Sequence, residues 1–529
     1  ETAAPAFSYI YVTASPPASR IMAKDKKVIP IRTGISRRSL FKYVGAGTAA
    51  LSSVPVLAQE KSPKNPYLPE VWDENYDVVV VGGGGAGMAA ALLASQNGAK
   101  PVIIERLPFA GGNTMAAQGQ INAADPVRQP KQNIEDSPAK HAAQTLAAGD
   151  FRGDPARVKV LCDNAYSVIT WLEGLGMEFK PTVHQMFGGL YPRAHSPAVP
   201  KGIGYTGVLS KALKERNVPF KLGYSVVEIY REQPWSGDVI GVKLQNSKGH
   251  TLNIKANKAV VLAAGGFSGN QYLRELHDPR TAGLGTDNLP GHTGDVMLAA
   301  NRIGGYLVGM DFIQSTPGAP AGKKLKIILN TNVDGSIYVD KRGNRIVDEG
   351  ARRDVIRDAV LGTPERYAYT VVDNNQYNSY NSAVHDAVER GIAIDEAWTA
   401  PTIKELAKKM GVDPEGLQKT IDRYNNVLIK NKEDPDFHKA PRNLTRKIAQ
   451  GPFWACYTGM TVHHTMGGLN TNTKAQVLDA TGTPIPRLYA AGEITGGIHG
   501  TNRVGGNALL DVFVFGRIAG ENAAKESSR

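Results

Sequence analysis

Residues 76–105 read YDVVVVGGGGAGMAAALLASQNGAKPVIIE, and this stretch decides the fold. The apolar run 77–81 predicts a buried strand, the glycines predict a turn, the alanine-rich stretch predicts a helix, and a second strand ends at Glu105. The spacing G-x-G-x-x-G is completed by Gly82, Gly84 and Gly87, and Glu105 follows 18 residues later. An acid about 20 residues beyond these glycines binds a ribose hydroxyl. The stretch therefore predicts a dinucleotide site, with the pyrophosphate at the helix N-terminus.

The composition is that of a globular protein. Of 529 residues, 42% are hydrophobic and 21% are charged, which leaves room for two or three domains. The 57 glycines exceed the average share of about 7%. They gather in short clusters, which indicates several close approaches of the backbone to a bound molecule.

Three further stretches favour a flavin over a nicotinamide cofactor. FAGGNTMAAQGQIN (109–122) comes soon after the second strand, whereas KAVVLAAGGF (258–267) and RLYAAGEITGG (487–497) each read as a late strand that runs into small residues. Turns so far apart in the chain surround an elongated ligand on several sides. We therefore expect a flavin dinucleotide that stays bound.

Together with RAHSP (193–197), HHTMGGL (463–469) and AAGEITGGIHGTNRVGGNAL (490–509), this set resembles a known family. It is similar to the flavoprotein subunits of the fumarate reductase and succinate dehydrogenase superfamily. The resemblance is strongest to soluble periplasmic fumarate reductases of the flavocytochrome c type and to urocanate reductases. It runs from about Tyr76 to Lys525.

The resemblance implies an α/β fold: a Rossmann-like FAD-binding domain in two segments with an inserted α+β clamp domain. The expected boundaries are a signal and upstream sequence at 1–59, a linker at 60–75, FAD-binding segments at 76–308 and 463–529, and the clamp at 309–462. Within the clamp, the spacing over 401–431 predicts a pair of amphipathic helices broken between Gly411 and Pro414.

The resemblance also implies non-covalent FAD, because no obvious histidine stands where membrane-bound relatives attach theirs. The expected FAD-binding residues are Gly82, Gly84, Ala86, Gly87, Glu105, Gly112, Asn113, Thr114, Gly119, Val227, Ala264, Gly265, Asp295, His463, Glu493, Asn507, Ala508 and Leu509.

The stretch HGTNRVGGNALLD (499–511) places Arg503 between small residues and glycines. Such a guanidinium is either a clamp for a planar carboxylate or phosphate or half of a buried salt bridge. The resemblance implies the first, with Arg503 and His464 binding a substrate carboxylate and with Gly505 and Gly506 beside them. A metal site is not expected, because no acid or cysteine stands at ligand spacing from the adjacent histidines.

The stretch KRGNRIVDEGARRDV (341–355) matches the part of the family's clamp domain that ends in the catalytic acid, and the match falls on Arg353. An arginine, whose pKa is ordinarily above about 12, serves as an acid only where burial and neighbouring cations lower that value. We expect Arg352 to be a surface or structural cation, with Glu349 as its neighbour.

The stretch DFIQSTPGAPAGKKLKIILNTNVDGSIYV (311–339) departs from the family pattern. Gln314 or Ser315 replaces a substrate-binding histidine, and Ile328 and Leu329 replace the threonine and glutamate that hold fumarate's second carboxylate. Asn332 stands near the position of a proton-relaying arginine, and Asn330 near that of the urocanate enzymes' acidic residue. Apolar replacements favour a substrate with an uncharged far end.

The sequence therefore predicts a reductase for an α,β-unsaturated monocarboxylate, such as a methacrylate-, acrylate-, cinnamate- or urocanate-like acid. Three alternatives stay open. One is a fumarate reductase proper, with Lys323, Lys324 or Lys326 in place of the missing residues. The second is a flavin-dependent dehydrogenase that works in the oxidative direction. The third is a non-catalytic flavin-binding or electron-carrier protein.

The stretch SRRSLFKYVGAGTAALSSVPVLAQ (36–59) begins with the pair Arg37 and Arg38 and ends in a small-residue cleavage pattern. It predicts a twin-arginine signal and a periplasmic protein, because its apolar part is shorter than the roughly 20 residues of a membrane span. Residues 1–59 contain eight Lys or Arg and two acids, so the net charge falls from +12 to +6 without them. The charge therefore gives no reason to expect a nucleic-acid partner.

The only cysteines are Cys162 and Cys456, and neither lies in a C-x-x-C-H haem motif. We therefore expect a separate electron donor, such as a periplasmic multihaem cytochrome c, and a role in anaerobic respiration. Whether the two cysteines form a disulfide stays open.

Overall fold

The glycine-rich stretch folds as predicted in a computed structural model of the protein, which describes residues 65–186, 188–330 and 333–529. Strand β1 spans Glu74–Val81, helix α1 spans Gly85–Gln96 and strand β2 spans Pro101–Glu105. Gly82 has φ +112°, and a Cβ there would lie 2.3 Å from a backbone oxygen, so the turn requires glycine. The predicted signal at 1–59 and Asn332 lie outside the described residues.

The remaining elements follow in chain order. The strands are β3 Ile121–Asn122, β4 Phe179–His184, β5 Ala194–Pro197, β6 Phe220–Leu222, β7 Tyr224–Gln233, β8 Ser236–Asn246, β9 Thr251–Leu262, β10 Leu307–Val308, β11 Ile313–Gly318, β12 Ser336–Val339, β13 Ala368–Val372, β14 Ala397–Ala400, β15 Phe453–Thr465, β16 Gly468–Leu469, β17 Gln476–Leu478 and β18 Pro484–Ala490. The helices are α2 Gly112–Ala116, α3 Pro138–Ala148, α4 Pro155–Asp163, α5 Ala165–Gly174, α6 Ile203–Glu215, α7 Gln271–His277, α8 Asp295–Arg302, α9 Arg353–Leu361, α10 Asn374–Asn378, α11 Ser382–Ala393, α12 Ile403–Met410, α13 Pro414–Arg423, α14 Ile429–Asn431 and α15 Asn507–Lys525.

The main sheet has eight strands, with the order β17-β18-β9-β1-β2-β6 and with β8 and β7 continuing from β9. Strands β18, β9, β1, β2 and β6 are parallel. Val78 and Val80 pack into one core cluster with α1 and α15, whereas Val79 and Val81 pack into a second cluster. Because both faces of β1 are buried, its sequence is a continuous apolar run. The predicted α/β fold is confirmed.

A second, five-stranded sheet has the order β11-β15-β13-β12, with β14 also paired to β15, and its pairs are antiparallel. Helices α12 and α13 pack against this sheet and are separated at Gly411, as predicted. The described residues group into one compact unit, so the domain boundaries at 308 and 462 stay predictions.

Two further observations concern the described residues as a whole. None of their helices combines the length and the apolar character needed to cross a membrane. Cys162 and Cys456 are both buried and free, so they do not form the disulfide that the sequence left open.

Candidate active site

A long cavity lies at the edge where the carboxyl ends of the parallel strands meet. It holds about 990 Å³ of empty volume, part of it open to solvent, and is lined by the turns that follow β1, β2, β9 and β18. Ligands of open α/β sheets bind at this edge. Distant parts of the chain contribute to the wall, including Gly82, Glu105, Asn113, Ala264, Asp295 and Glu493.

The cavity has the features of a dinucleotide site. The Glu105 carboxylate accepts hydrogen bonds from the backbone amides of Gly83 and Leu107, both at 2.8 Å, which fixes its position in the wall. Helix α1 begins at the same wall, and its N-cap, Gly84, provides no side-chain hydrogen bond. The amide of Gly85, the first residue of α1, donates to Thr114 Oγ1 at 3.1 Å, so the next amides of the first turn are the ones that can bind an anion such as a pyrophosphate.

Most of the predicted cofactor residues line this cavity. They are Gly82, Gly84, Ala86, Glu105, Gly112, Asn113, Thr114, Ala264, Gly265, Asp295 and Glu493. The side chain of Val227 is exposed and the preceding Val226 lines the wall, so contact of Val227 with FAD stays a prediction. Strand β7 alternates its side chains, so a step of one residue selects the opposite face.

Five other predicted cofactor residues lie outside the wall of this cavity. Gly87 packs α1 against the turn, since a Cβ there would lie 1.9 Å from the Gly82 oxygen. The Gly119 carbonyl accepts a hydrogen bond from Tyr205. Asn507 bonds to Asn122 at 2.9 Å, at the start of α15, where Ala508 and Leu509 follow. Contact of these residues with FAD stays a prediction.

The predicted arginines Arg353 and Arg503 come together on one amide. The Oε1 atom of Gln314 accepts a hydrogen bond from Arg353 Nη1 and another from Arg503 Nη2, both at 2.9 Å. Arg353 is the first residue of α9, Gln314 lies on β11, and Arg503 lies on the loop before α15. Three elements distant in sequence thus form one buried group.

Burial changes the acidity of both guanidinium groups. The side chains of Arg353 and Arg503 are only 7% and 5% exposed. Burial, and then repulsion by Arg503, lowers the pKa of Arg353 to about 9. Burial also lowers the pKa of Arg503 to about 10, although Glu493 and Asp287 oppose the shift. Among the described residues, nothing accepts a hydrogen bond from the buried Arg503 Nε, which suits an anionic ligand.

The two adjacent histidines lie at a β-bulge. The register between β11 and β15 pairs Gln314 with His464 and Ser315 with Val462, so His463 is the extra residue. Bulges reorient side chains and are common beside active sites. Because directly paired residues share a face of the sheet, His464 lies on the same face as Gln314.

His464 and His463 have different carboxylate partners. His464 Nδ1 lies 3.3 Å from Glu493 Oε2 in the cofactor wall, and burial lowers the histidine's pKa to about 4. His463 Nδ1 lies 3.1 Å from both carboxylate oxygens of Asp287, and its contact with the cofactor stays a prediction. Burial lowers the pKa of His463 too, although its hydrogen bond with Asp287 opposes the shift.

The structure corrects one prediction about the inserted segment. Leu329 packs into a core cluster with Ile327 and Tyr380, so it does not line a substrate pocket as predicted. Its neighbour Ile328 is half-buried. Glu349 is fully buried between Arg345 and Lys439.

Gly505 and Gly506 support the loop that carries Arg503. The amide of Gly505 donates to the Gly188 carbonyl at 2.7 Å. The carbonyls of Gly505 and Gly506 accept from the side chain and the backbone amide of Asn122, at 2.7 Å and 3.1 Å. These backbone groups therefore have partners within the protein, and a direct contact with substrate stays a prediction.

Sequence reasoning missed Asp287. It accepts hydrogen bonds from His463 and, at 3.0 Å, from Lys326 Nζ, and it attracts both active-site arginines. Burial works to raise the pKa of Asp287, but the His463 bond and nearby charges lower it to about 2. No motif marks this residue, since its partner His463 is 176 positions away.

Residues 77–509 match the family model described as an FAD binding domain. The chain is 35% identical over 479 residues to the "fumarate reductase (cytochrome)" of Shewanella frigidimarina, covering 90% of this chain and 82% of that protein. The chain belongs to the fumarate reductase family of FAD-dependent flavoproteins.

Other members of the family are similarly close. The chain is 37% identical to the urocanate reductase of Eggerthella lenta, over 87% of this chain and 76% of that protein. A solved structure, the open conformation of a flavocytochrome c3 fumarate reductase, matches with a TM-score of 0.72 and 33% identity, covering 86% of this chain and 79% of that one. The chain is thus an FAD-dependent oxidoreductase that acts on the C=C bond of an unsaturated carboxylate.

Proposed function

We propose that the protein reduces the C=C bond of an α,β-unsaturated monocarboxylate, with Arg353 as the proton donor. The observation that carries the proposal is the pair of buried guanidinium groups that meet on Gln314 beside the cofactor wall. Reduced FAD, when bound, supplies the hydride that adds to the β-carbon of the substrate. The residues of the chain bind the carboxylate and deliver the proton.

The two arginines have separate roles. Arg503, with His464 on the neighbouring strand, binds the substrate carboxylate and stabilises the negative charge that develops on it during hydride addition. Arg353 donates its proton to the α-carbon, and its lowered pKa suits this role. Gln314 holds both guanidinium groups in position with a single acceptor.

The charges around the arginine pair favour a substrate with one carboxylate. Asp287 attracts both Arg353 and Arg503, Glu493 attracts Arg503, and Lys326 pairs with Asp287. Counted without the histidines, these are three cations and two anions. One substrate carboxylate balances the set, whereas a second would leave a buried negative charge without a partner. The name of the urocanate reductase relative supports the same reading, since urocanate ends in an imidazole.

Two alternatives make different demands on this site. A fumarate reductase proper requires a partner for the second carboxylate, and Lys326 is the nearest candidate in the inserted segment. A dehydrogenase working in the oxidative direction does not require two buried arginines. Reoxidation of reduced methyl viologen by a panel of enoic acids tests the proposal, and bound FAD without turnover of any enoate would overturn it.

We further propose that the FAD is non-covalent. The purified mature protein is expected to be yellow, and acid precipitation is expected to release one FAD per chain into the supernatant. Because Glu105 is held in the cavity wall to bind a ribose hydroxyl, Glu105→Ala is expected to reduce FAD retention on gel filtration. Flavin absorbance that stays with the precipitated chain would contradict the proposal.

Localisation and the electron donor are also part of the proposal. The twin arginines Arg37 and Arg38 support export to the periplasm, where a separate multihaem cytochrome c would deliver electrons for anaerobic respiration. Replacing both arginines by lysine is expected to retain the protein in the cytoplasm, as measured by fractionation. Export of that variant at the normal level would argue against the twin-arginine route.

A further inference from the structure

The chain segments that carry the two active-site arginines are joined by one carboxylate. Arg352 Nη1 and Nη2 donate to Asp150 Oδ1 and Oδ2 at 2.6 and 2.9 Å. The hydroxyl of Thr501 donates to the same carboxylate. Arg352 immediately precedes Arg353, and Thr501 lies two residues before Arg503. Asp150 is therefore hydrogen-bonded to both segments.

The loop that carries Asp150 is held by its surroundings. Asp150 and Phe151 have φ values of +53° and +55°, a left-handed conformation that non-glycine residues adopt at a cost. The loop packs backbone against backbone on residues 498–501: a Cβ at Gly149 would lie 2.4 Å from the His499 oxygen, and the Thr501 amide donates to the Gly149 carbonyl. A strained loop fixed in this way places its carboxylate accurately.

We propose that Asp150 is a positioning residue that sets the placement of Arg353 relative to Arg503. The Asp150 and Arg352 side chains are 50% and 33% exposed, so the ion pair itself adds little to stability. However, Asp150 binds Arg352 through two hydrogen bonds and so fixes the position of Arg352, the N-cap residue of α9. Arg353 is the first residue of that helix. Only the kinetic test of this inference rests on the proposed function.

Loss of the Arg352 contact of Asp150 and loss of its Thr501 contact are expected to change the kinetics in different ways. Arg352→Ala releases the segment of the proton donor and is expected to lower kcat with little change in KM. Thr501→Val releases the segment of the carboxylate-binding arginine and is expected chiefly to raise KM. Asp150→Ala releases both, and we expect a loss of about 10- to 100-fold in kcat/KM, the size of effect that a small misplacement of catalytic groups produces.

A matched control is an ion pair elsewhere in the inserted segment that contains Arg352. Asp436 accepts a two-point pair from Arg423, at 2.8 and 2.9 Å and with comparable exposure, but neither residue adjoins an active-site arginine. Asp436→Ala is expected to keep wild-type kinetics. The double variant Asp150→Ala/Arg352→Ala is expected to lose less kcat than the sum of its two single losses, because both changes break the shared Arg352–Asp150 pair, although each also removes a contact of its own, with Thr501 or with Asp354.

Hydrogen exchange provides a readout that does not depend on turnover. In the FAD-loaded protein, Asp150→Ala is expected to speed amide exchange at 354–358, the first turns of α9, whereas Asp436→Ala leaves it unchanged. Unchanged exchange at 354–358 would overturn the inference, as would additive losses of kcat in the double variant. If the wild-type protein reduces no enoate, the proposed function fails while the exchange measurement still tests the role of Asp150.

Discussion

Replacing Arg353 by glutamine is expected to lower kcat by about 10²- to 10⁴-fold, the usual contribution of a positioned acid. Glutamine retains a hydrogen-bond donor near Gln314 but has no proton to give to the substrate carbon. Arg353 also lies outside the wall of the cofactor cavity. FAD content and substrate binding are therefore expected to change little, so the loss appears in kcat and not in KM.

The pH dependence of the wild-type enzyme tests the same assignment. The protonated guanidinium is the donor, and the pKa of Arg353 is lowered to about 9. Activity is therefore expected to be present below pH 9 and to fall as the pH rises through that value. Steady-state kinetics of wild type and Arg353→Gln with the best enoate provide the measurement.

Two variants serve as comparisons for Arg353→Gln. Arg342 is a highly exposed arginine of the same segment, 82% exposed, and Arg342→Gln is expected to keep full activity. Arg503→Gln is expected to impair both KM and kcat, because Arg503 binds the substrate before and during the reaction. An Arg353→Gln enzyme that kept most of its kcat would rule out the proton-donor assignment.

The parts of the protein predicted best are those encoded by short, contiguous patterns. The unit from β1 to β2 needs only local spacing, because the glycine turn, the helix and Glu105 lie within 30 residues of one another. The expectation that Arg353 and Arg503 share a site came from the family resemblance. Periodicity within either segment carries no information about residues 150 positions apart.

The differences from the sequence predictions have identifiable physical causes. On β7, Val226 lines the cavity wall and Val227 is exposed, because a single step along a strand reverses the face. Leu329 follows a stretch rich in glycine, proline and lysine, in which no periodicity fixes which side chains face the core. The bulge at His463 breaks the alternation that would place neighbouring histidines on opposite faces. Asp150 acts through contacts with Arg352, 202 positions away, which no local pattern indicates.

The preference among substrates is expected to be the second large effect. With methacrylate, acrylate, cinnamate or urocanate, kcat/KM is expected to exceed the value for fumarate by about 100-fold or more. The charged groups around Gln314 have one positive charge in excess, which balances one substrate carboxylate. The second carboxylate of fumarate would be buried without a partner, which costs several kcal/mol. The measurement compares the five acids side by side with reduced methyl viologen as the donor.

Lys326 is expected to set the size of the preference for monocarboxylates over fumarate. Its side chain is 36% exposed, and its Nζ atom donates to Asp287 at 3.0 Å. Lys326→Gln removes the excess charge, so residual fumarate reduction is expected to fall further than reduction of the best monocarboxylate. Lys324→Gln, at an exposed lysine two residues earlier, is the control and is expected to change neither. If fumarate were the better substrate by tenfold and lost that advantage only in Lys326→Gln, Lys326 would be the partner of the second carboxylate and the monocarboxylate proposal would be wrong.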